Sequence, residues 1–61
     1  MKERVNELFI RLSQTTDRWD FLELMEEIMN NLRVLFRNEE ITFTDVNFID
    51  DSCRALFRAR Y

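Results

Sequence analysis

Residues 17–37 read DRWDFLELMEEIMNNLRVLFR, and this stretch has the clearest pattern in the chain. Its apolar residues recur at spacings of four, three, four and three, which is the a and d rhythm of helices that pack at a shallow angle. The stripe consists of Phe21, Met25, Ile28, Leu32 and Leu35, and Leu22, Met29 and Phe36 widen it on one flank. The spacing therefore predicts an amphipathic helix over residues 17–37.

The ends of this helix carry residue types that helix termini favour. Thr16 or Asp17 can accept hydrogen bonds from the first free N–H groups, and Asn38 can end the helix. On the polar face, acidic residues fall toward the start and arginines toward the end, as the helix dipole favours. That face consists of Glu23, Glu26, Glu27, Asn30, Arg33 and Arg37.

A second helix with the same rhythm is predicted over residues 44–59. Its stripe consists of Val46, Ile49, Cys53 and Leu56. The acidic residues of this segment again come early and its arginines late, which matches the helix dipole. Because the connection over residues 38–43 is short, we expect the two helices to form an antiparallel hairpin.

Two threonines are candidates for the N-cap of this second helix. Thr44 is the first, with Phe43 and Phe48 around it as a hydrophobic staple. Thr42 is the alternative, with a staple formed by Ile41 and Val46.

A shorter stripe near the start of the chain predicts a helix over residues 3–13. Its members are Val5, Leu8, Phe9 and Leu12. A polar run over residues 13–17 follows. At 100° per residue, Leu12 and Phe21 would lie on opposite sides of one straight helix, so we expect a break in this run. The alternative is one long helix held between two partner surfaces.

Size and composition indicate one all-α domain over residues 1–61 that gains stability from a partner. A domain this small buries only about 60% of the surface that its unfolded chain exposes, so its stability is marginal without a disulfide, a metal or a partner chain. One cysteine and no histidine exclude an internal disulfide and argue against a zinc site. A partner chain is the remaining source of stability.

We expect that partner to be a second copy, because two wide apolar stripes on so short a chain are hard to cover within it. The predicted homodimer closes a small helical bundle. Its core and interface residues are Phe21, Leu22, Met25, Ile28, Met29, Leu32, Leu35, Val46, Ile49, Cys53 and Leu56.

The residue types that catalysis uses are scarce. Without histidine, the commonest acid–base group near neutral pH is missing, and Cys53 has no base to activate it. The segment 45–50 begins like a calcium-binding loop but has Asp50 where that loop needs glycine. The paired acids are interpreted as a solvated face. We therefore expect no enzymatic activity, no cofactor and no metal site.

The candidate partner-binding residues lie at the C-terminus and at one tryptophan. They are Trp19, Arg54, Phe57, Arg58, Arg60 and Tyr61. Arginines and aromatic rings together can hold phosphates and stack on bases, and they are also common anchors of protein interfaces. Trp19 is predicted either to pack under the first helix or to stand exposed as such an anchor.

Charge and hydropathy limit the classes of partner and the cellular compartment that we expect for this protein. The net charge of −3 is opposite to that of proteins that coat nucleic acid. Uninterrupted apolar runs are at most three residues long, as at residues 8–10, which is too short for a membrane span or a signal peptide. The lone cysteine fits a reducing compartment, so we expect a cytoplasmic protein with no membrane partner.

Two resemblances follow from these patterns. The length and the antiparallel heptads resemble Rop-type helical hairpins, which dimerise into a four-helix bundle and bind RNA, although the central helix here is acidic. The small, acidic, helical chain without cofactor motifs also resembles the early proteins encoded between the exonuclease and excisionase genes of lambda-like phages. That second resemblance implies a modulator that binds a host protein in the host cytoplasm. The alternative is a dimeric nucleic-acid-associated regulator that uses the arginine-rich C-terminus.

Overall fold

The computed structural model describes residues 2–61, and among these residues it contains three α-helices and no strand. Helix α1 spans Lys2–Gln14, α2 spans Arg18–Arg37 and α3 spans Phe43–Arg60. The predicted all-α fold is therefore confirmed. No helix in this part of the chain is long and apolar enough to cross a membrane.

The first two helices are separate, so the alternative of one long helix is wrong. Asp17 has an extended backbone and caps α2. Its Oδ1 atom accepts hydrogen bonds from the backbone N–H groups of Trp19 (2.8 Å) and Asp20 (3.4 Å). This cap satisfies donors that the first helical turn leaves free, and it turns the chain so that α2 runs back along α1.

The C-terminus of α2 is closed by a Schellman motif. The N–H of Glu40 donates to the carbonyl oxygen of Leu35 (2.9 Å), and the N–H of Glu39 donates to that of Phe36 (3.0 Å). Asn38 occupies the C-cap position, as predicted. Glu39 takes the left-handed conformation that glycine normally supplies, with φ of 60°.

Thr42, not Thr44, caps α3. The Thr42 hydroxyl accepts from the N–H of Asp45 (3.2 Å), and the Asp45 carboxylate accepts from the N–H of Thr42 (3.0 Å). This reciprocal pair is a capping box. The first N-cap prediction was wrong because the residue three positions after Thr44 is Asn47, whereas Thr42 has the acidic partner that completes the box.

The helices α1 and α3 both run antiparallel to α2. Arg4 near the start of α1 forms an ion pair with Glu27 of α2 (3.3 Å). At one end of the α2–α3 pair, the rings of Phe36 and Phe43 lie 6.2 Å apart, and at the other end those of Phe21 and Phe57 lie 5.5 Å apart. The C-termini of α1 and α3 therefore meet at the same end of the molecule.

The core lies mainly between α1 and α2. Its buried residues are Val5, Leu8, Leu12, Phe21, Ile28, Leu32, Leu35 and Cys53. Three of them come from α1 and only Cys53 comes from α3, so the first helix, which has the shortest stripe in the sequence, is an integral part of the core.

Candidate functional site

An apolar groove of about 440 Å³ lies between the N-terminal halves of α1 and α3, above α2. Its walls are contributed by all three helices and by the α2–α3 connection. The lining residues are Val5, Asn6, Phe9, Leu32, Leu35, Ile41, Asp45, Phe48, Ile49 and Ser52. We refer to this feature as the α1–α3 groove.

Each of the three helices contributes one side of the groove. Leu32 and Leu35 of α2 form its floor and are buried. Val5, Asn6 and Phe9 of α1 form one wall, and the N-terminal half of α3 forms the other.

Phe48 stands at the edge of the α1–α3 groove with 72% of its surface exposed. It lies on α3 next to Ile49, which packs against the core from the same helix. The sequence predicts a staple between Phe43 and Phe48, but the helix begins two residues earlier than that staple requires. Phe48 is therefore a large apolar side chain at the mouth of an apolar groove.

Of the ten residues that line the groove, Asp45 is the charged one. Uncharged side chains continue at helical spacing from the lining residues along both helices, as Asn6, Phe9, Ile10 and Ser13 on α1 and as Phe48, Ser52, Ala55 and Ala59 on α3. None of these eight side chains is charged, in a chain that is 34% charged overall. Asp45 is the acid at the groove wall, and its carboxylate is bonded to the Thr42 backbone. We refer to these eight residues as the low-charge face.

The residues predicted to form a dimer seam are placed largely inside the single chain. Phe21, Ile28, Leu32, Leu35 and Cys53 are buried, and Met25, Met29, Val46, Ile49 and Leu56 are partly buried. Only Leu22 is exposed, at 37%. The chain covers most of this stripe with its own α1, so little of it is left for contact with a second copy.

The aromatic residues predicted at the C-terminus pack on α2. The rings of Phe57 and Tyr61 lie 5.2 Å apart, and Phe21 contacts both of them, with a centroid distance of 5.6 Å to Tyr61. Arg18 lies over the Phe57 ring at 5.9 Å. These contacts attach the end of α3 to the start of α2.

Two of the three C-terminal arginines have intramolecular partners. Arg60 donates from Nη1 to the carbonyl oxygens of Thr15 (2.7 Å) and Leu12 (3.4 Å), and from Nη2 to that of Ser13. It thereby caps the C-terminus of α1 from α3. Arg54 pairs with Asp50 at 3.2 Å. Arg58 is exposed.

Trp19 is exposed over 72% of its surface, so the interpretation that it packs under α1 was wrong. It occupies the first turn of α2, where the Asp17 cap holds its backbone. The exposed-anchor alternative agrees with this position.

Cys53 is buried, with 2% of its surface exposed, as expected for a thiol on the α3 stripe. Burial raises the pKa of the thiol above its ordinary value of 9.0, and the nearby Asp50 carboxylate raises this pKa further. The thiol is therefore neutral at physiological pH and is a packing group, not a nucleophile.

The sequence pattern does not predict the groove, although part of the lining follows a regular spacing. Phe48, Ser52, Ala55 and Ala59 recur at spacings of four, three and four, which is a second stripe on α3. Three of these four residues are small or weakly polar, so a pattern of large apolar side chains does not include them. The role of Phe9 and Ile41 in the groove depends on how α1 and α3 meet, which local spacing does not encode.

In the part of the chain that the structure describes, no group of three or more His, Cys, Asp or Glu side chains is placed to hold a metal ion. A second, polar depression lies on the other side of α1, where Arg11 faces Asp20 and Glu23 of α2. The α1–α3 groove is thus an apolar site, and Phe48 is the most exposed large apolar side chain that lines it.

No family model, no curated protein and no solved structure matches this chain.

Proposed function

We propose that this protein is a non-enzymatic interaction module that binds another protein. One observation carries the proposal: among the described residues, eight large apolar side chains are exposed, against seven that are buried in the core together with Cys53. The exposed set is Ile10, Trp19, Leu22, Val34, Phe36, Phe43, Phe48 and Tyr61. A protein partner that covers these side chains removes their apolar surface from water, which stabilises the complex.

The arrangement of the C-terminal arginines favours a protein partner over a nucleic acid. Phosphate binding needs cationic groups that are free to approach the backbone of the nucleic acid. Arg60 is bonded to carbonyl oxygens of α1, and Arg54 is paired with Asp50. Arg58 alone then adds little to a surface whose net charge is −3.

The resemblance to early proteins of lambda-like phages adds the class of partner to this proposal. The proposed partner is then a host protein, and binding to it changes host physiology. Trp19 is the residue we assign to that contact, because an exposed tryptophan in the first turn of a capped helix is a rigid and well-positioned anchor.

The proposal is tested with a tagged copy expressed in a bacterial host and purified with and without nuclease treatment. We expect a specific host protein to co-purify in both cases and to be retained at raised salt, because an apolar interface responds weakly to ionic strength. Loss of the bound material on nuclease treatment would contradict the proposal.

Two substitutions separate the protein and nucleic-acid alternatives. Trp19→Ala removes the exposed ring and is expected to abolish the capture of the host protein, whereas Arg58→Ala is expected to leave it unchanged. Both side chains are exposed, so both variants are expected to fold, and circular dichroism checks this. The opposite result, with loss of binding in Arg58→Ala alone, would support the nucleic-acid alternative.

A further inference from the structure

We propose that the α1–α3 groove is the self-association site of this protein and that Phe48 of each copy fills the groove of the other. This inference goes beyond the proposed function, since it assigns a second surface of the chain to contact with another copy of itself. The site differs from the stripe on α2 and α3 that the sequence pattern predicts, because that stripe is largely covered within the chain.

The first argument is the position of Phe48 relative to the groove. A two-fold interface uses the same patch on both copies, so that patch must contain both a projecting group and the cavity that receives it. Phe48 is 72% exposed and also lines the groove wall, which places projection and cavity side by side. A rotation axis that passes close to Phe48 then brings each ring over the opposite groove.

The second argument is charge. Two copies of a chain with net charge −3 repel each other, so they approach most easily where acidic groups are few. The low-charge face carries no charged side chain, and Asp45 is the one acid that lines the groove beside it. Its spacing on α3, with Ser52, Ala55 and Ala59 following Phe48, also gives small side chains over which a second helix can pack closely.

The test is sedimentation equilibrium of the full chain and of two matched variants, Phe48→Asp and Phe43→Asp. Both residues are phenylalanines on α3 with similar exposure, 72% and 65%, and Phe43 does not line the groove. We expect the unsubstituted chain to sediment at twice its 7.6 kDa mass. Phe48→Asp is expected to weaken the dimer at least about thirtyfold, as an interface hot spot does, and Phe43→Asp to leave it nearly unchanged.

A second measurement locates the contact directly. In a mixture of isotope-labelled and unlabelled chains, we expect intermolecular nuclear Overhauser effects between the Phe48 ring and the methyl groups of Val5 and Ile49. A monomer at high concentration, or a dimer that Phe48→Asp leaves intact, would overturn the inference. Its failure is distinct from that of the proposed function, because a monomer whose host partner is lost on Trp19→Ala still agrees with the latter.

Discussion

At the scale of single residues, the least ordinary feature of this chain is that it has no glycine where its backbone turns left-handed. Glu39 supplies the positive φ of the Schellman motif that ends α2. A residue with a Cβ atom pays roughly 1–2 kcal/mol for this conformation. The motif persists because it satisfies the last carbonyl groups of α2 and directs the chain toward the Thr42 cap.

The substitution Glu39→Gly should therefore raise the free energy of unfolding by about 1 kcal/mol, because it removes the steric cost at this position. Glu40→Gly is the matched control, since it removes the same charge at a neighbouring residue with negative φ. That control should lower stability by roughly 0.5 kcal/mol through the added freedom of the unfolded chain. Urea denaturation measures both, and equal effects of the two substitutions would argue against a strained Glu39.

Because of Cys53, the free energy of unfolding should fall as the pH rises into the alkaline range. The pKa of the folded thiol is raised by burial and by Asp50, whereas the unfolded thiol titrates near 9.0. The unfolded state then loses its proton first, so the contribution of this group is fully present below pH 9.0 and is lost as pH rises through the folded pKa. Denaturation of the native chain and of Cys53→Ala, followed across alkaline pH, should give a steeper decline for the native chain; parallel curves would exclude this origin.

At the scale of the elements, the connections between helices are stabilised by side chains at helix ends. Asp17 caps α2, Thr42 and Asp45 cap α3, and Arg60 caps the end of α1 from a distant part of the sequence. The first two caps are local, whereas the third connects α3 to α1 and holds the two C-termini together. The Arg60 contact joins α1 and α3 at their C-terminal ends. The groove lies between the same two helices at their N-terminal halves.

Removal of the Arg60 guanidinium should therefore loosen the α1–α3 pair. We expect Arg60→Met to lower the free energy of unfolding by about 1 kcal/mol, because three carbonyl oxygens at the end of α1 lose a charged donor. Arg58→Met removes the same charge from an exposed position on the same helix and should change stability by less than about 0.5 kcal/mol. Hydrogen exchange should show faster opening of the last turn of α1 in Arg60→Met only.

Local chemistry made most of the elements predictable. The break before α2 follows from the polar run and from Asp17, and the structure has it where the phase of the apolar residues requires it. The choice between Thr42 and Thr44 was decided by Asp45, whose carboxylate completes the capping box. The Arg60 cap was not predictable, because the residues that it joins are separated by 45 or more positions in the sequence.

At the scale of the whole molecule, the sequence pattern alone did not show which chain covers the apolar stripe of α2. An amphipathic helix has the same periodicity whether its partner is a neighbouring helix or another copy. Leu8 and Leu12 are completely buried and lie in the core with Ile28 and Leu32 of α2. The core is thereby closed within one chain, and the α1–α3 groove remains as an apolar feature that no local pattern specifies.

The contribution of α1 can be measured by truncating one of its core residues. Leu8→Ala should cost about 2–5 kcal/mol, the usual range for a fully buried leucine. A domain of this length has a total stability of roughly 3–9 kcal/mol, so the variant should lose a large share of that stability and melt at a much lower temperature. Val34→Ala, at a position 40% exposed, is the control and should cost less than about 1 kcal/mol. A Leu8→Ala variant with a native melting temperature would show that α1 is not part of the core.

The most direct test of the central claim, that the face around the α1–α3 groove is where this protein meets its own copy, is a dilution series followed by amide resonances in NMR spectra. From millimolar to low-micromolar concentration, we expect shift changes at the amides of Asn6, Phe9, Phe48 and Ser52 and little change at Leu22 or Phe36. Spectra that do not change with concentration, or changes confined to the Leu22 and Phe36 flank of α2, would contradict it.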